Sequence, residues 1–158
     1  MIYLMNILLL LLSFALMEFT AWFTHKYIMH GFLWNLHRDH HIKDHDHAWE
    51  RNDFFALIFA IPGIGLMYSG FISGYDHPLF WIGSGISLYG IAYFLVHDVL
   101  IHQRINILRN WNNDYLHAIR VAHSAHHKHD QRDNAESFGF LWIPRRYRVQ
   151  AAKIRTEM

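Results

Sequence analysis

Between Phe54 and Ile72 the chain reads FFALIFAIPGIGLMYSGFI, and after the six residues Ser73 to Pro78 it reads LFWIGSGISLYGIAYFLV from Leu79 to Val96. Neither run holds an Asp, Glu, Lys or Arg. Each is long enough to cross a hydrocarbon core of about 30 Å as a helix, and so short a connection makes them an antiparallel pair. Asn52-Asp53 stands where a helix N-cap belongs. Pro62, Gly63 and Gly65 predict a kink that membrane helices tolerate. Gly83 and Ser87, in small-xxx-small spacing, predict a close helix contact. Toward the N-terminus a third apolar run, Ile2 to Phe23, is broken only by Asn6, Ser13, Glu18 and Thr20. No Lys or Arg precedes it and no small-residue cleavage site follows, so it reads as a spanning helix rather than a signal peptide.

Composition agrees. The 158 residues make one domain; 53% are apolar and 17% charged, against roughly 25% charged in a soluble domain. The apolar residues sit in the three runs, which leaves too few for a soluble core. All fourteen Lys and Arg lie elsewhere: Lys26, Arg38, Lys43 and Arg51 between the first two runs, the rest from Arg104 onward. By the positive-inside rule both basic regions are cytoplasmic and Met1 is outside. The expectation is an all-α membrane helical bundle with spans at 2–23, 54–72 and 79–96. Cytoplasmic, histidine-rich regions at 24–53 and 97–158 extend it as a cap. Within the second region, 113–127 predicts an amphipathic helix and Phe138–Ile143 an apolar patch at the membrane surface. A net charge of +1 says nothing about partners, and no nucleic acid is expected. The absence of cysteine excludes disulfides, iron–sulfur clusters and thiolate zinc sites.

Fifteen histidines remain to be explained. Ten fall into two pairs, His25/His30 and His97/His102, and two triplets, His37/His40/His41 and His123/His126/His127, all at or beyond the same ends of the spans. Each triplet lies within one 100° arc of a helix, so three imidazoles face one point. The pairs are 140° apart on an ideal helix, so each spans two metals or sits where the helix is distorted; Gly31 marks one such place. Imidazole suits Fe, Zn, Cu and Ni, and two six-coordinate metals would leave about one open position each. No Glu-x-x-His occurs, which excludes the carboxylate-bridged di-iron bundle. Neutral ligands make carboxylates valuable as partners behind the histidines. Glu18 is the first candidate, a charge inside an apolar helix seven residues before His25. Asp39 and Asp98, each beside a ligand candidate, read either as such partners or as surface carboxylates. His45, His47, His77 and His129 read as ordinary polar residues, and His117 as a surface residue or one that supports a ligand.

Several stretches resemble the bacterial β-carotene hydroxylases of the fatty-acid hydroxylase superfamily. They are His25-Lys-Tyr-Ile-Met-His30-Gly31, the His37–His41 triplet, Asn52-Asp53, Tyr93-Phe-Leu-Val-His97-Asp98, His102-Gln103-Arg104, Ala122-His123 through His127, and Ser137-Phe-Gly-Phe140. The resemblance runs from Glu18 to about Phe140; Asp44–His47 and Arg109–Asp114 depart from it. It implies a non-haem di-iron monooxygenase with the ten histidines as ligands. The enzyme would take β-carotene from the bilayer and hydroxylate C3 of each β-ionone ring, giving β-cryptoxanthin and then zeaxanthin. Its co-substrates would be O2 and electrons from ferredoxin or a similar donor, and zinc is able to replace the two iron ions in purified protein. The alternatives are a carotenoid ketolase or lipid hydroxylase with the same metal chemistry, or a non-enzymatic membrane metal or haem protein. Arg145, Arg146, Arg148, Lys153 and Arg155 read either as a lipid anchor or as a ferredoxin dock.

Overall fold

The computed structural model describes residues 1–43, 49–108, 111, 113–130 and 132–156, and every regular element among them is helical. Helix α1 (Ile2–Phe23) runs on into a π-helical segment, Thr24–Phe32, followed by the short α2 (Trp34–His41). Helix α3 (Asp53–Ser73) returns, and α4 (Pro78–Phe94) runs back and continues as a second π-helical segment, Leu95–Ile101. Helices α5 (Asp114–His126) and α6 (Arg145–Thr156) complete the chain.

Three stretches, Ile2–Phe32, Asp53–Ser73 and Pro78–Ile101, are long and apolar enough to cross a membrane. Their outward side chains, Leu4, Leu8, Leu12, Ile61 and Ile72 among them, are more than half exposed. A soluble protein would be left with a large sticky surface; in a bilayer these groups meet acyl chains. Helix α4 packs against both α1 and α3, with one glycine for each neighbour. A Cβ on Gly83 would run into the Met67 backbone nitrogen and the Gly63 carbonyl, and one on Gly85 into the Leu10 carbonyl and the Ser13 hydroxyl. Pro62 lies inside an uninterrupted α3.

At the end away from the histidines, Asn6 is fully buried and its Nδ2 donates to the Asp76 carbonyl at 3.1 Å, tying α1 to the α3–α4 turn. His77 caps α4, its Nδ1 accepting from the Leu79 N–H at 3.3 Å. At the histidine end, Asn113 caps α5 through the Leu116 N–H (2.9 Å), in keeping with the amphipathic helix expected there. Tyr147 and Ala151 of α6 join Ala118, Ile119 and Ala122 of α5 in one buried cluster.

Two expectations are corrected. The Asn52 side chain makes no cap hydrogen bond; it is used elsewhere. Phe138, Phe140 and Ile143 are buried (4%, 5% and 4% exposed) instead of lying at the membrane surface, and only Trp142 of that patch stays strongly exposed. The cause is Glu18. Its Oε1 accepts from the backbone N–H groups of Phe140 (2.9 Å), Leu141 (3.0 Å) and Trp142 (2.8 Å), and its Oε2 from the Tyr89 hydroxyl (2.7 Å). An intramembrane carboxylate with four donors is strongly held, and it draws the segment inward against α1 and α4.

Candidate metal centre

The backbone decides how the histidines pair. A π-helical turn is closed by an i→i+5 hydrogen bond, and here the His102 N–H donates to the His97 carbonyl at 2.9 Å and the Leu33 N–H to the Ile28 carbonyl at 3.0 Å. Residues five apart then come over one another. His30 lies above His25 (ring centroids 5.2 Å apart) and His102 above His97 (4.6 Å). Gly31, with φ −109° and ψ −125°, breaks the first segment just after His30. Of the two arrangements open for the pairs, helix distortion is the one found.

The triplets behave in the opposite way and are divided. His25, His30, His37, His41 and His126 gather their ring nitrogens within 4.8 Å of one another, and His40, His97, His102 and His123 do the same. His127 stands between the groups, its ring 4.4 Å from that of His41 and 4.8 Å from that of His40. A single point for each triplet is thus corrected. On α2, His40 and His41 are 100° apart, enough to face different centres when the helix passes between them.

The hydrogen bonds behind the rings test whether a cation fits. His25 Nδ1 faces the Phe138 carbonyl (2.9 Å), His30 Nδ1 the Asp130 carbonyl (3.0 Å) and His126 Nδ1 the Glu136 carbonyl (3.0 Å). His37 Nδ1 faces Asn52 Oδ1 (2.7 Å), His40 Nδ1 faces Glu50 Oε2 (2.9 Å) and His97 Nδ1 faces Asp98 Oδ2 (3.3 Å). Each partner is an acceptor, so each Nδ1 carries the proton, and a neutral imidazole has only one. Yet Nε2 of His25 lies 3.1 Å from Nε2 of His37, that of His30 3.1 Å from that of His126, and that of His97 3.0 Å from that of His40. Three couples of lone pairs point at each other with no proton between them. Protonation is no remedy. Burial above all, then the neighbouring imidazoles, push His40 and His123 well below the ordinary histidine pKa of 6.5. Burial takes His127 down to about 4. A metal ion resolves the conflict: at metal–nitrogen distances of about 2.1 Å, adjacent octahedral corners lie about 3.0 Å apart. Nε2 of His41 and of His127, buried and without a hydrogen-bond partner among the described residues, fit the same centres.

Glu18 was the first candidate to stand behind a histidine, with Asp39 and Asp98 open between that role and a surface one. Asp98 is there, holding His97 while its other oxygen accepts from Arg104 Nη1 at 2.7 Å. Asp39 instead accepts from the Arg51 N–H (2.6 Å). Among the described residues Glu18 bonds no histidine, since its four donors come from Tyr89 and the 140–142 backbone; it reaches the centre through that segment, whose Phe138 carbonyl holds His25 and whose Phe140 ring stacks on it at 5.6 Å. Sequence reasoning passed over Glu50 and read Asn52 as a helix cap, not as the partner of His37. Arg104 also grips Asp53 at 2.7 and 2.8 Å, joining the start of α3 to the second π-helical segment. His129 is exposed. His117 belongs to neither group, though its Nε2 is buried. His45 and His47 lie outside the described residues. Asn52→Ala is expected to leave the His37 tautomer unfixed and to weaken metal binding by roughly 10–100-fold, measured by competition with a chromophoric chelator.

The fatty acid hydroxylase family matches residues 10–143. A β-carotene hydroxylase of Pseudescherichia vulneris is 42% identical over 94% of this chain and 82% of its own. Those of Pantoea ananas and of Paracoccus sp. (strain N81106 / MBIC 01143) are each 39% identical, over 96% and 88% of this chain and 85% of their own. No solved structure matches. On the match across most of its length, the chain belongs to the fatty acid hydroxylase family.

Proposed function

We propose that this membrane enzyme hydroxylates carotenoids, inserting one oxygen of O2 at C3 of the β-ionone ring to give β-cryptoxanthin and then zeaxanthin. The relatives named as β-carotene hydroxylases support it, and one structural observation carries it. An apolar cavity of about 510 Å³ lies among α1, α3 and α4. Ile64, Ile91 and Phe94 on its wall are also exposed on the outer surface of the spans (55%, 56% and 46%), so a substrate reaches it sideways from lipid. Its inner end is formed by Tyr93 and Phe140, whose rings lie 4.8 and 5.2 Å from that of His97. A long polyene can stay in the bilayer, whose core is about 30 Å thick, while one terminal ring occupies the cavity.

The division of labour follows. The apolar walls bind the ring by contact and exclude water. Tyr93 and Phe140 set how near the ring comes to the histidines. Glu50, Asn52, Asp98 and the three backbone carbonyls hold the Nδ1 protons, keeping each Nε2 free for metal. We assign one iron to each histidine group, with His127 between them. Iron, when bound, supplies an oxidant able to break an unactivated C–H bond; redox-inert zinc cannot. The positive-inside rule favours a cytoplasmic histidine end in a bacterial inner membrane, and a ferredoxin is the electron donor this chemistry calls for.

Expression in β-carotene-producing cells with pigment chromatography tests the reading: zeaxanthin and β-cryptoxanthin are expected, and echinenone or canthaxanthin would overturn it. Gly90 lines the cavity, and a Cβ added there would meet nothing within 4 Å. Gly90→Leu is therefore expected to fill the cavity without disturbing the helices and to cut hydroxylation by about tenfold or more, a cost of roughly 1.4 kcal/mol upward, with metal content unchanged. Undiminished pigment conversion in that variant would move the ring elsewhere.

A further inference from the structure

Hydroxylation by one oxygen of O2 consumes two electrons per turnover, and the apolar cavity can deliver none. The electrons must cross the protein to buried imidazoles from the aqueous side. Most rings against the histidines cannot conduct them from there. Phe55, Phe138 and Phe140 are buried (5%, 4% and 5% exposed), and Tyr93 faces the cavity. Trp34 differs. It opens α2 and is only partly buried. Its ring lies 5.2 Å from that of His30, 5.9 Å from that of His37 and 5.3 Å from that of His41, so it touches three of the five histidines in the first group.

Resting on the monooxygenase reading, we propose that Trp34 is the point at which electrons pass into the metal centre from a docked one-electron iron–sulfur carrier. In each transfer the carrier is oxidised and the centre reduced by one electron; no bond forms or breaks, and two such transfers serve one turnover. Onward passage to the second group has two stacked routes: His41 on His127, at 4.4 Å and 14° between planes, and His37 on His40, at 5.4 Å and 28°. The rim carries charges of both signs, the exposed Asp130 carboxylate 3.7 Å from His41 Nδ1 among them, and its basic groups are placed to meet an acidic carrier. Arg38, four residues after Trp34 and so on the same face of α2, is exposed, as is Lys128 beside the segment whose Asp130 carbonyl holds His30.

The test uses the iron-loaded full chain in lipid vesicles. Conversion of β-carotene by the wild type, measured first, reports on the functional reading by itself. Reduction of the iron is then followed by absorption, with photoreduced plant-type [2Fe–2S] ferredoxin or with dithionite, a small reductant that needs no docking. Trp34→Leu is expected to slow reduction by ferredoxin about tenfold or more, equivalent to about 1.4 kcal/mol of activation free energy. Trp34→Phe, which keeps a smaller ring, falls between. Iron content and the dithionite rate stay at wild-type values in both. An unchanged ferredoxin rate in Trp34→Leu overturns the proposal. So does an equal slowing with both reductants, or loss of iron in both variants, since either makes Trp34 a packing ring.

Discussion

Alanine in place of His40 or His126 is expected to abolish hydroxylation and to lower metal content from two equivalents per chain to one, while alanine at His77 or His129 leaves most activity. The reasoning is local. His40 Nε2 sits 3.0 Å from His97 Nε2, and His126 Nε2 sits 3.1 Å from His30 Nε2. Each is held from behind, by Glu50 and by the Glu136 carbonyl. Deleting either ring opens a coordination position and strands the group behind it, whereas His77 only caps α4 and His129 is exposed. Because His40 and His126 lie in different groups, each variant should keep the metal of the other group. Elemental analysis of purified protein and pigment chromatography read the two effects separately. Substantial activity in either variant would defeat the ligand assignment, and a wild-type stoichiometry of one would defeat the two-site assignment.

Glu18→Leu is expected to be the most damaging change away from the histidines. It leaves three backbone N–H groups and the Tyr89 hydroxyl without their acceptor. The Trp142 N–H is near the exposed surface, but the other three donors are part-buried; a donor buried without a partner costs about 1–3 kcal/mol, and folded proteins have only about 5–15 kcal/mol in hand. Release of the 138–142 segment also removes the carbonyl that fixes His25, so thermal stability and metal affinity should fall together. Glu18→Gln retains one oxygen for the three N–H groups, and its amide can donate to the tyrosine, so it should keep the fold and most of the metal. Melting temperature in detergent and metal competition check this. A Glu18→Leu protein with wild-type values of both would mean the segment is held without its anchor.

The spans were legible because an uninterrupted apolar run of about twenty residues has one stable fate in a chain. That histidines would gather at one end of the bundle was legible for a similar reason, since imidazoles at the same ends of three spans lie close, and nine of the ten fall into the two groups. Their partition was not: the i,i+5 spacing and Gly31 left helix distortion as one of two arrangements for the pairs, and nothing in the triplets showed that each would be divided between two groups. Nor could sequence reveal that His25, His30 and His126 are held by the carbonyls of Phe138, Asp130 and Glu136, because every residue has a carbonyl. Glu18 was recognised as out of place, yet its partners lie 71 to 124 residues away, and distance of that order hides a contact from any local pattern. Helix α6 went unforeseen because, among the described residues, its buried face is Tyr147 and Ala151 in a basic segment.

The four residues between His97 and His102, and the four between His25 and His30, measure an angle more than a length. In an α-helix, shortening the interval by one residue would preserve the alignment of its ends, since i and i+4 share a face; here the same deletion would remove the wide turn that the backbone has committed to and rotate everything beyond it. The histidine ends of these spans are therefore intolerant of insertion and deletion in a way their opposite ends are not. Span length can change near the Ser73–Pro78 turn, provided the Asn6–Asp76 tie moves with it, and such drift would leave the chemistry in phase.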